Sequence, residues 1–469
     1  MGQFAIGQGV SRVEDPRLVR GGGRYVDDIK LPGMTHGVVL RSPHAHAKIK
    51  SIDVSAAKAA PGVIAVLTAA DIKAGGFGAL PVPGGLKRRN GQAGYTPGYP
   101  ILAADRVRWV GDCVAFVVAD TQAQALDAME LIEVDYEVLP SVTSTAEAMK
   151  PGAPLVWDDC ADNAGFVELV GDKAATDAAF ARADRVIKHR FVINRVTAAS
   201  MEPRAALGDY GADGRYTLTA TLQHTHVIRA DLAKLVLKVP ESKVRVIVPD
   251  VGGAFGMKSP VANEIALVLI AARLTRRPVK WVSTRTEAFL SDPQARDHVT
   301  EAELALDKNG TFLALRVKNT AAIGAYMQKG MPVYILNAGS LAGCYRTPAI
   351  YVDATGVFTN TNPVRPYRGN GRPEFAYVIE RMVDIAADEM GIDPAELRRR
   401  NYIPPSAMPF KTGLTFTYDC GEFEKNMDMA LELADGIGWD AGRAGAQTRG
   451  KLRDFGFFNT TEGAGSEGR

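Results

Sequence analysis

The stretch Asp250-Val-Gly-Gly-Ala-Phe-Gly-Met-Lys258, called the glycine loop below, places three glycines and one phenylalanine directly after an alternating apolar run at 244–248. The alternation is typical of a β-strand, and residues 263–275 have the composition of an apolar helix, so the glycines lie in a strand-loop-helix turn. Glycine lacks a Cβ and can expose its amide, which suits such turns to phosphates or to the edge of a cofactor. The spacing Gly-Gly-x-x-Gly matches neither the dinucleotide fingerprint nor a Walker loop. On spacing alone, a tight turn without a ligand is an equally good interpretation.

The composition indicates a globular protein without a broad electrostatic field. The chain has 469 residues, of which 46% are hydrophobic and 23% charged, enough for roughly two or three domains. Its 55 Lys and Arg residues nearly balance 53 Asp and Glu residues, so we expect no nucleic-acid partner. No apolar run is long enough to cross a bilayer, and Met1–Ile6 lacks the basic and apolar regions of a secretory signal. These features predict a cytoplasmic protein without a membrane span.

The cysteines and histidines do not predict a metal site. The cysteines are widely scattered without a Cys-x-x-Cys pair, which argues against a local zinc or iron–sulfur site and against a disulfide framework. They are Cys113, Cys160, Cys344 and Cys420. His44 with His46, and His224 with His226, could each share a metal from one face of a strand, but no third ligand stands at a supporting spacing. We therefore favour structural roles for both pairs.

Periodicity along the chain predicts a mixed α+β architecture without an internal repeat. The predicted helices cover 121–132, 227–237, 263–275 and 375–389, with a short helix after Asp393-Pro394. The predicted strands cover 35–41, two short runs within 107–119, 134–138, 186–196, 216–222, 243–248 and 279–283. Lys308-Asn-Gly310 is a strong hairpin signal between strands at 301–307 and 311–319.

Two other stretches are irregular. Residues 141–165 are rich in Pro, Asp, Ser and Ala without a clear period, and we interpret them as a surface linker between two domains. Asp454-Phe-Gly-Phe-Phe-Asn459 begins what looks like a new strand, and no closing element follows it. We therefore expect that the chain is cut short.

A series of short motifs runs in a fixed order along essentially the whole chain. They are Gly9-Val-Ser-Arg-Val-Glu-Asp-Pro-Arg-Leu18, Gly23-Arg-Tyr-Val-Asp-Asp-Ile29, Arg41-Ser-Pro-His-Ala-His-Ala47, Asp105-Arg-Val-Arg-Trp-Val-Gly-Asp112, Val134-Asp-Tyr-Glu-Val-Leu-Pro140, Met201-Glu-Pro-Arg204, Gln223-His-Thr-His226, the glycine loop, Tyr367-Arg-Gly-Asn-Gly-Arg-Pro-Glu374 and Arg398-Arg-Arg-Asn-Tyr-Ile-Pro-Pro405. With these motifs the chain resembles the large, molybdenum-binding subunit of the xanthine dehydrogenase and aldehyde oxidase family, which includes bacterial aldehyde and carbon monoxide dehydrogenases.

The resemblance implies a domain order and an activity. It implies a hammerhead α/β domain over 20–140, the linker over 141–165, a large molybdopterin-binding domain with mixed sheets and packed helices over 166–430, and the start of an incomplete second such domain over 431–469. It also implies oxidation of an aldehyde or an N-heteroaromatic substrate, with water as the oxygen source and molybdopterin cytosine dinucleotide as the cofactor. Electrons would leave through a small 2Fe-2S subunit and a medium FAD subunit, in a dimer of heterotrimers.

The resemblance also assigns cofactor-binding residues. Gln223 matches a glutamine whose NH2 group bonds an oxygen ligand of the metal without adding charge. Gly253, Phe255 and Gly256 match the loop that supplies amides and a buried aromatic beside the molybdenum, and Arg368 matches an arginine whose segment packs against the metal and the pterin. Without the family order, simpler roles are preferred: Gln223 tying off a loop, Phe255 in a core and Arg368 in an ion pair.

Some residues near these motifs receive no site role. Lys258 is equally well explained as an anion clamp or as a solvated or carbonyl-bonded lysine. Glu202, Glu264 and Glu374 are better explained by capping or pairing than by catalysis. The general-base glutamate of the family is expected beyond the C-terminus of this chain, so the catalytic residues are unknown.

Two departures from the family pattern bear on the substrate. Gly369 follows Tyr367-Arg368 where carbon monoxide dehydrogenases carry a copper-binding cysteine. Ser259 follows Lys258 where purine-oxidising members carry a glutamate that bonds the purine ring. Both departures favour an aldehyde or an aromatic heterocycle over CO or xanthine.

Three alternatives stay open. The chain could be a non-catalytic, assembly-only fragment of this fold, which the presence or absence of the other half in a neighbouring reading frame would decide. It could be a subunit of the xanthine dehydrogenase type. A nucleotide-binding protein would instead bind a free nucleotide tightly at the glycine loop and need no molybdenum.

Overall fold

The computed structural model describes residues 9–330, 337–436, 439–452 and 456–461. The strands are β1 (Thr35–Arg41), β2 (Ala47–Asp53), β3 (Val63–Leu67), β4 (Arg106–Val107), β5 (Cys113–Ala119), β6 (Glu133–Val138), β7 (Ala164–Gly171), β8 (Arg185–Val196), β9 (Ala205–Tyr210), β10 (Tyr216–Ala220), β11 (Val244–Ile247), β12 (Val279–Val282), β13 (Ala295–Leu306), β14 (Phe312–Gly324), β15 (Ala349–Phe358), β16 (Phe410–Lys411) and β17 (Thr417–Tyr418). The helices are α1 (Asp15–Leu18), α2 (Ser55–Ala59), α3 (Ala69–Ala74), α4 (Gln122–Glu130), α5 (Lys173–Ala181), α6 (Thr225–Asp231), α7 (Asn263–Thr275), α8 (Arg285–Ser291), α9 (Arg372–Met390), α10 (Pro394–Asn401), α11 (Phe423–Gly436) and α12 (Trp439–Gln447).

The chain forms two compact units, and each unit combines three separate stretches of sequence. Unit 1 consists of Met1–Pro81, Gly98–Leu139 and Ala198–Asp292. Unit 2 consists of Val82–Pro97, Pro140–Thr197 and Pro293–Arg469. The glycine loop and Gln223 belong to unit 1, whereas Arg368 belongs to unit 2.

One seven-stranded sheet organises unit 1, in the order β11-β10-β9-β12-β1-β5-β3. Its middle joins strands that are far apart in sequence: β1 lies parallel to β12 with Thr35 opposite Val279, and antiparallel to β5 with Val38 opposite Val117. All seven residues of β5 are buried, which is typical of a strand covered on both faces. Strands β1, β3 and β5 from the N-terminal part of the chain and β9 to β12 from residues 198–292 therefore form one sheet. A smaller sheet, β4-β2-β6, completes the unit.

Helix α7 covers this sheet and leads directly out of the glycine loop. Every residue from Asn263 to Ala272 is buried, because the helix is apolar around its whole circumference. The helix packs very closely on β9, since a Cβ at Gly208 would stand 2.5 Å from the carbonyl oxygen of Val268. The loop thus ends on a rigid, fully packed element.

Unit 2 is built on a five-stranded sheet in the order β7-β15-β14-β13-β8. Strands β13 and β14 form the predicted antiparallel hairpin, with Leu304 opposite Leu315. Helix α9 packs on β8 and β13. It has a proline in its first turn and ends at Gly391, whose φ of 64° is the left-handed conformation common after helices. Asp393 then caps α10 by accepting hydrogen bonds from the amides of Ala395 and Glu396 at 2.9 and 3.0 Å.

The mixed α+β architecture is confirmed, and α7 has the predicted bounds. The bounds of other elements differ from the predicted ones. The helix predicted over 227–237 begins at Thr225 and becomes a π-helix over Leu232–Leu237. The first of the two strands predicted within 107–119 is only Arg106–Val107. Residues 456–459 of the strand predicted over 454–459 have no regular structure, and its first two residues lie outside the described residues.

Several elements were not predicted. They include β2, β7, β9, β15, α5, α8, α11 and α12. Among the described residues, no helix combines the length and the apolar character that a bilayer span requires.

Candidate functional site

The glycine loop connects β11 to α7 through a backbone that ordinary residues seldom adopt. Gly253 and Gly256 have φ values of 94° and 102°, and Phe255 between them has a φ of 53°. Glycine occupies the first two conformations without steric cost, whereas Phe255 is strained there. The sequence Gly253-Ala-Phe-Gly256 thus forms a turn in which three of the four residues have positive φ.

The start of the loop is tied to the N-terminal motif of the chain. Both guanidinium nitrogens of Arg17 donate to the Asp250 carboxylate at 2.7 Å, and the amide of Arg24 donates to it at 2.7 Å. The hydrogen bond from Arg17 and the bond from the Arg24 amide lower the pKa of Asp250 to about 2. Asp250 is therefore an ionised anchor for the loop at neutral pH.

Gln223 lies beside the loop, immediately before α6. Its side-chain oxygen accepts a hydrogen bond from the Gly256 amide at 2.9 Å, and its own amide donates to the Lys258 carbonyl at 3.2 Å. Because the Gly256 N–H must meet an acceptor, the contact assigns the oxygen and the NH2 of Gln223 unambiguously. The NH2 group has no hydrogen-bond partner within the described part of the chain, and the residue is exposed. Gln223 therefore presents two free donors.

The main chain of the loop offers further donors. In the residues that the structure describes, no hydrogen bond engages the amides of Gly253, Ala254 and Phe255. Successive free amides in a turn with left-handed residues can bind an anionic group. Together with the Gln223 NH2, they match the chemistry of an anionic cofactor with oxygen ligands.

The expectation that Phe255 is a buried aromatic is wrong for this chain. The side chain is 44% exposed. Its left-handed backbone directs the ring back over the loop, where a Cβ at Gly253 would meet the ring at 3.0 Å. Phe255 therefore forms part of the exposed surface of the loop and does not fill a core.

Lys258, the last residue of the loop, is buried and hydrogen-bonded to Glu202. The Lys258 side chain is fully buried, and its ammonium donates to the Glu202 carbonyl at 2.8 Å. The interpretation of Lys258 as a carbonyl-bonded lysine is thus confirmed, and the anion-clamp role is wrong. The Glu202 carboxylate accepts the Gly252 amide at 2.7 Å.

The remaining carboxylates near the motifs are engaged in ion pairs, as expected from the sequence. Glu264 binds Arg41 and Arg204, each at 2.6 Å, with side chains that are less than a tenth exposed. Burial would raise the pKa of Glu264, but Arg204 and Arg41 outweigh it and lower the pKa to about 2. Glu374 binds Arg296 at 2.7 Å. These pairs leave Glu264 and Glu374 without a role as a general base.

Arg368 lies in unit 2, in the turn before α9. Its side chain is exposed, and its carbonyl accepts a hydrogen bond from Arg296 at 3.0 Å. Arg296 also donates to Glu374 and packs over the Tyr367 ring, 5.0 Å from the ring centroid. Arg296 was not singled out from the sequence, because nothing in its spacing connects it with a turn 71 residues later. The glycine-loop residues and Gln223 are thus brought together in unit 1, and Arg368 belongs to unit 2.

Family models match two parts of this chain. The aldehyde oxidase and xanthine dehydrogenase a/b hammerhead domain matches residues 20–140. The molybdopterin cofactor-binding domain matches residues 158–402, which include Gln223, the glycine loop and Arg368.

This chain is similar to curated proteins and to proteins of known structure. The carbon monoxide dehydrogenase large chain of Afipia carboxidovorans is 37% identical over 484 aligned residues, which cover 97% of this chain and 58% of the relative. The nicotinate dehydrogenase large molybdopterin subunit of Eubacterium barkeri is 30% identical to this chain. The alignment covers 84% of this chain and 89% of that subunit. The structure of quinoline 2-oxidoreductase from Pseudomonas putida 86 has a TM-score of 0.88 and 35% identity, over 96% of this chain and 56% of that one.

These relatives differ in how much of them this chain matches. It spans less than two thirds of the carbon monoxide dehydrogenase chain but most of the nicotinate dehydrogenase subunit. The two domain matches and the similarity along nearly the whole sequence lead to one conclusion. The chain belongs to the xanthine dehydrogenase and aldehyde oxidase family, in which it is a molybdenum-binding large-subunit chain.

Proposed function

We propose that this chain holds the molybdenum cofactor of a hydroxylase that oxidises an aldehyde or an N-heteroaromatic compound with water as the oxygen source. One observation carries the proposal: the Gly256 amide occupies the Gln223 oxygen and so leaves the Gln223 NH2 free beside the open amides of the glycine loop. A turn that served only as a chain reversal would have no need of this uncommitted set of donors.

Each residue has a defined task in this proposal. The NH2 of Gln223 donates to an oxygen of the cofactor without adding charge to an anionic centre. The amides of Gly253 and Phe255 add donors, and Gly256 keeps the approach free of a side chain. Arg368 is assigned on the resemblance alone. When bound, the molybdenum cofactor supplies the two-electron oxidation that no side chain can perform.

We propose molybdopterin cytosine dinucleotide as the form of the cofactor. Electrons would pass to a small 2Fe-2S subunit and a medium FAD subunit, in a dimer of heterotrimers. The scattered cysteines of this chain support a separate iron–sulfur subunit, and the similar proteins are named as large chains or subunits. No residue of this chain is proposed as the catalytic base.

The substrate class follows from two positions in the motifs. Gly369 supplies no thiolate for copper, and Ser259 supplies no carboxylate for a purine ring. The Ser259 hydroxyl instead donates to the Gly256 carbonyl at 2.6 Å. We therefore propose an aldehyde or a nitrogen heterocycle in place of CO or xanthine.

A pair of Gln223 variants tests the proposed function in the complex purified with its partner subunits. Gln223→Glu keeps an acceptor for the Gly256 amide but removes the NH2 donors, whereas Gln223→Ala removes both. We expect both variants to lower kcat by about tenfold to a hundredfold, with a smaller effect on KM. Steady-state kinetics and molybdenum content per chain are the measurements. Full turnover in Gln223→Glu would remove Gln223 from the cofactor site, and wild-type complex without molybdenum would end the proposal.

A further inference from the structure

A single residue, Glu202, holds the glycine loop at two positions, Gly252 and Lys258. Its amide donates to the Gly252 carbonyl at 3.0 Å, and its carboxylate accepts the Gly252 amide at 2.7 Å. Its carbonyl accepts the Lys258 ammonium at 2.8 Å. The contact with Gly252 is so close that a Cβ there would stand 2.5 Å from the Cβ of Glu202. Positions 252 and 258 are therefore fixed against one point.

The lysine in this arrangement is unusual in its burial. Its side chain has 0% exposure, and its ammonium lies 3.4 Å from the Glu202 carboxylate. Burial lowers the pKa of Lys258, and the charge of Glu202 opposes that shift. A buried ammonium is tolerated only when it is paired and hydrogen-bonded, so the charge of Lys258 depends on Glu202.

The restraint reaches Gln223 through the main chain. The Lys258 carbonyl accepts the Gln223 amide, and the Gly256 amide donates to the Gln223 side chain. Within the loop, the Met257 amide donates to the Ala254 carbonyl at 3.0 Å. A shift of Lys258 would therefore move the main-chain contact of Gln223 and, through the loop, the Gly256 contact that orients its side chain.

We propose that Glu202 and Lys258 form a buried clamp that sets the shape of the glycine loop and thereby positions the Gln223 NH2 and the free amides for the cofactor. This inference rests on the proposed function. Glu202 and Lys258 are positioning residues, since they act through the loop and touch no reacting atom.

The test uses amide hydrogen exchange, measured by mass spectrometry on the full chain. Lys258→Met keeps the length and burial of the side chain but removes its charge and its bonds. Lys280→Met is a matched control, because Lys280 is 4% exposed and donates to the Asp27 carbonyl at 2.7 Å, with the Asp27 carboxylate at 3.5 Å. Glu202→Gln is a milder variant that retains an acceptor for Gly252.

We expect exchange of the hydrogen-bonded loop amides, at Gly252, Gly256 and Met257, to accelerate about fivefold to tenfold in Lys258→Met, and less in Glu202→Gln. In Lys280→Met we expect the loop to exchange as in the wild type. We also expect Lys258→Met to retain less than about a tenth of the wild-type molybdenum in the complex, because a mobile loop no longer presents its donors together.

Three outcomes would overturn the proposal. The first is wild-type exchange of the loop in Lys258→Met. The second is an equal acceleration throughout unit 1 in Lys258→Met and Lys280→Met, which would indicate general destabilisation. The third is a faster loop with unchanged molybdenum content. Exchange is measured without cofactor, so a wild-type complex that lacks molybdenum would end the proposed function while the loop measurement kept its meaning.

Discussion

The glycine loop of unit 1 and the turn Tyr367–Glu374 of unit 2 have similar backbones, but neighbouring side chains bind amides of the loop and carbonyls of the turn. Each contains a non-glycine residue with a positive φ, Phe255 at 53° in the loop and Asn370 at 51° in the turn. In both, this residue lies between two glycines that also have positive φ. In the glycine loop, side-chain oxygens of Glu202 and Gln223 accept the amides of Gly252 and Gly256. The turn in unit 2 is held by Arg296, a donor that engages the carbonyls of Tyr367 and Arg368.

The difference teaches how the same backbone shape can serve different purposes. Support by acceptors at two points leaves the central amides of the glycine loop available. In the turn of unit 2, the Asn370 and Arg372 amides bond to the Tyr367 and Gly369 carbonyls within the turn itself, at 2.9 and 3.1 Å. That turn contributes an exposed side chain, Arg368, and engages two of its own amides.

The largest effect is expected from Gly256→Val. A β-branched residue is incompatible with a φ of 102° and would place methyl groups beside the free amides of the loop. We expect complete loss of molybdenum from the purified complex, measured by metal analysis. Gly391→Val is the control, because Gly391 also has positive φ but a Cβ there would meet nothing within 4 Å. Equal molybdenum loading in Gly256→Val and the wild type would contradict the assignment of the loop.

Arg296→Met should damage the turn of unit 2. It leaves Glu374, whose side chain is fully buried, without its ion pair. We expect the free energy of unfolding to fall by about 3–5 kcal/mol, measured by chemical denaturation. In Arg381→Met, which breaks a pair whose arginine is 49% exposed, we expect a loss of less than about 1 kcal/mol. A similarly small loss in Arg296→Met would mean that the arginine does not support the turn.

The pH dependence of stability should separate the two regions further. His298 is buried near the start of α9, and burial lowers its pKa to about 4, against opposing effects of Glu374 and Asp297. The folded state thus binds a proton less readily than the unfolded state, whose histidine titrates near 6.5. Stability from this source is full above pH 6.5 and declines as the pH falls towards 4, by a total of roughly 3 kcal/mol.

His298→Leu should remove this part of the acid sensitivity. Thermal unfolding of the wild type and the variant between pH 4 and 7 is the measurement. The slopes of the two proteins should differ most between pH 4.5 and 6. Parallel slopes would contradict the assignment of the proton uptake to His298.

The smallest effects are expected at the two strained residues themselves. Phe255→Gly relieves a left-handed phenylalanine, which should stabilise the folded chain by about 0.5–1 kcal/mol. Asn370→Gly should gain only a few tenths of a kcal/mol, because asparagine tolerates that conformation. Urea denaturation of both variants checks the order. A larger gain at Asn370 would show that backbone strain is not what distinguishes the two turns.

Sequence periodicity predicted the elements whose pattern is local. Helix α7 has the predicted bounds because its apolar run is uninterrupted, and α9 ends as predicted because Gly391 takes the left-handed cap. Strand β9, Ala-Ala-Leu-Gly-Asp-Tyr, was not predicted because its first four residues are all buried and show no alternation. Recognising it as a strand requires knowing that it pairs with β10 and β12, which the periodicity of the sequence does not show.

The site was predictable in part. Gln223 and the glycine loop came from the order of motifs, since their spacing alone left a plain turn equally possible. The contact that supports the glycine loop joins Glu202 to Lys258 over 56 residues, and the contact that supports the turn of unit 2 joins Arg296 to Glu374 over 78 residues. Such pairs follow from tertiary packing and leave no local pattern. The exposure of Phe255 depends on a backbone conformation that phenylalanine rarely adopts, so the amino-acid type was misleading there.

The parallel pairing of β1 with β12 has a consequence for protein engineering and for evolution in this family. In a chimera that exchanged residues 20–140 between two relatives, β1 would come from one protein and β12 from the other. The pairs Thr35 with Val279 and His36 with Lys280 would then have to form between strands of different origin. Either half produced alone would expose an unpaired strand edge, which promotes aggregation. Successful recombination is therefore restricted to crossover points that transfer both partners of this ladder together.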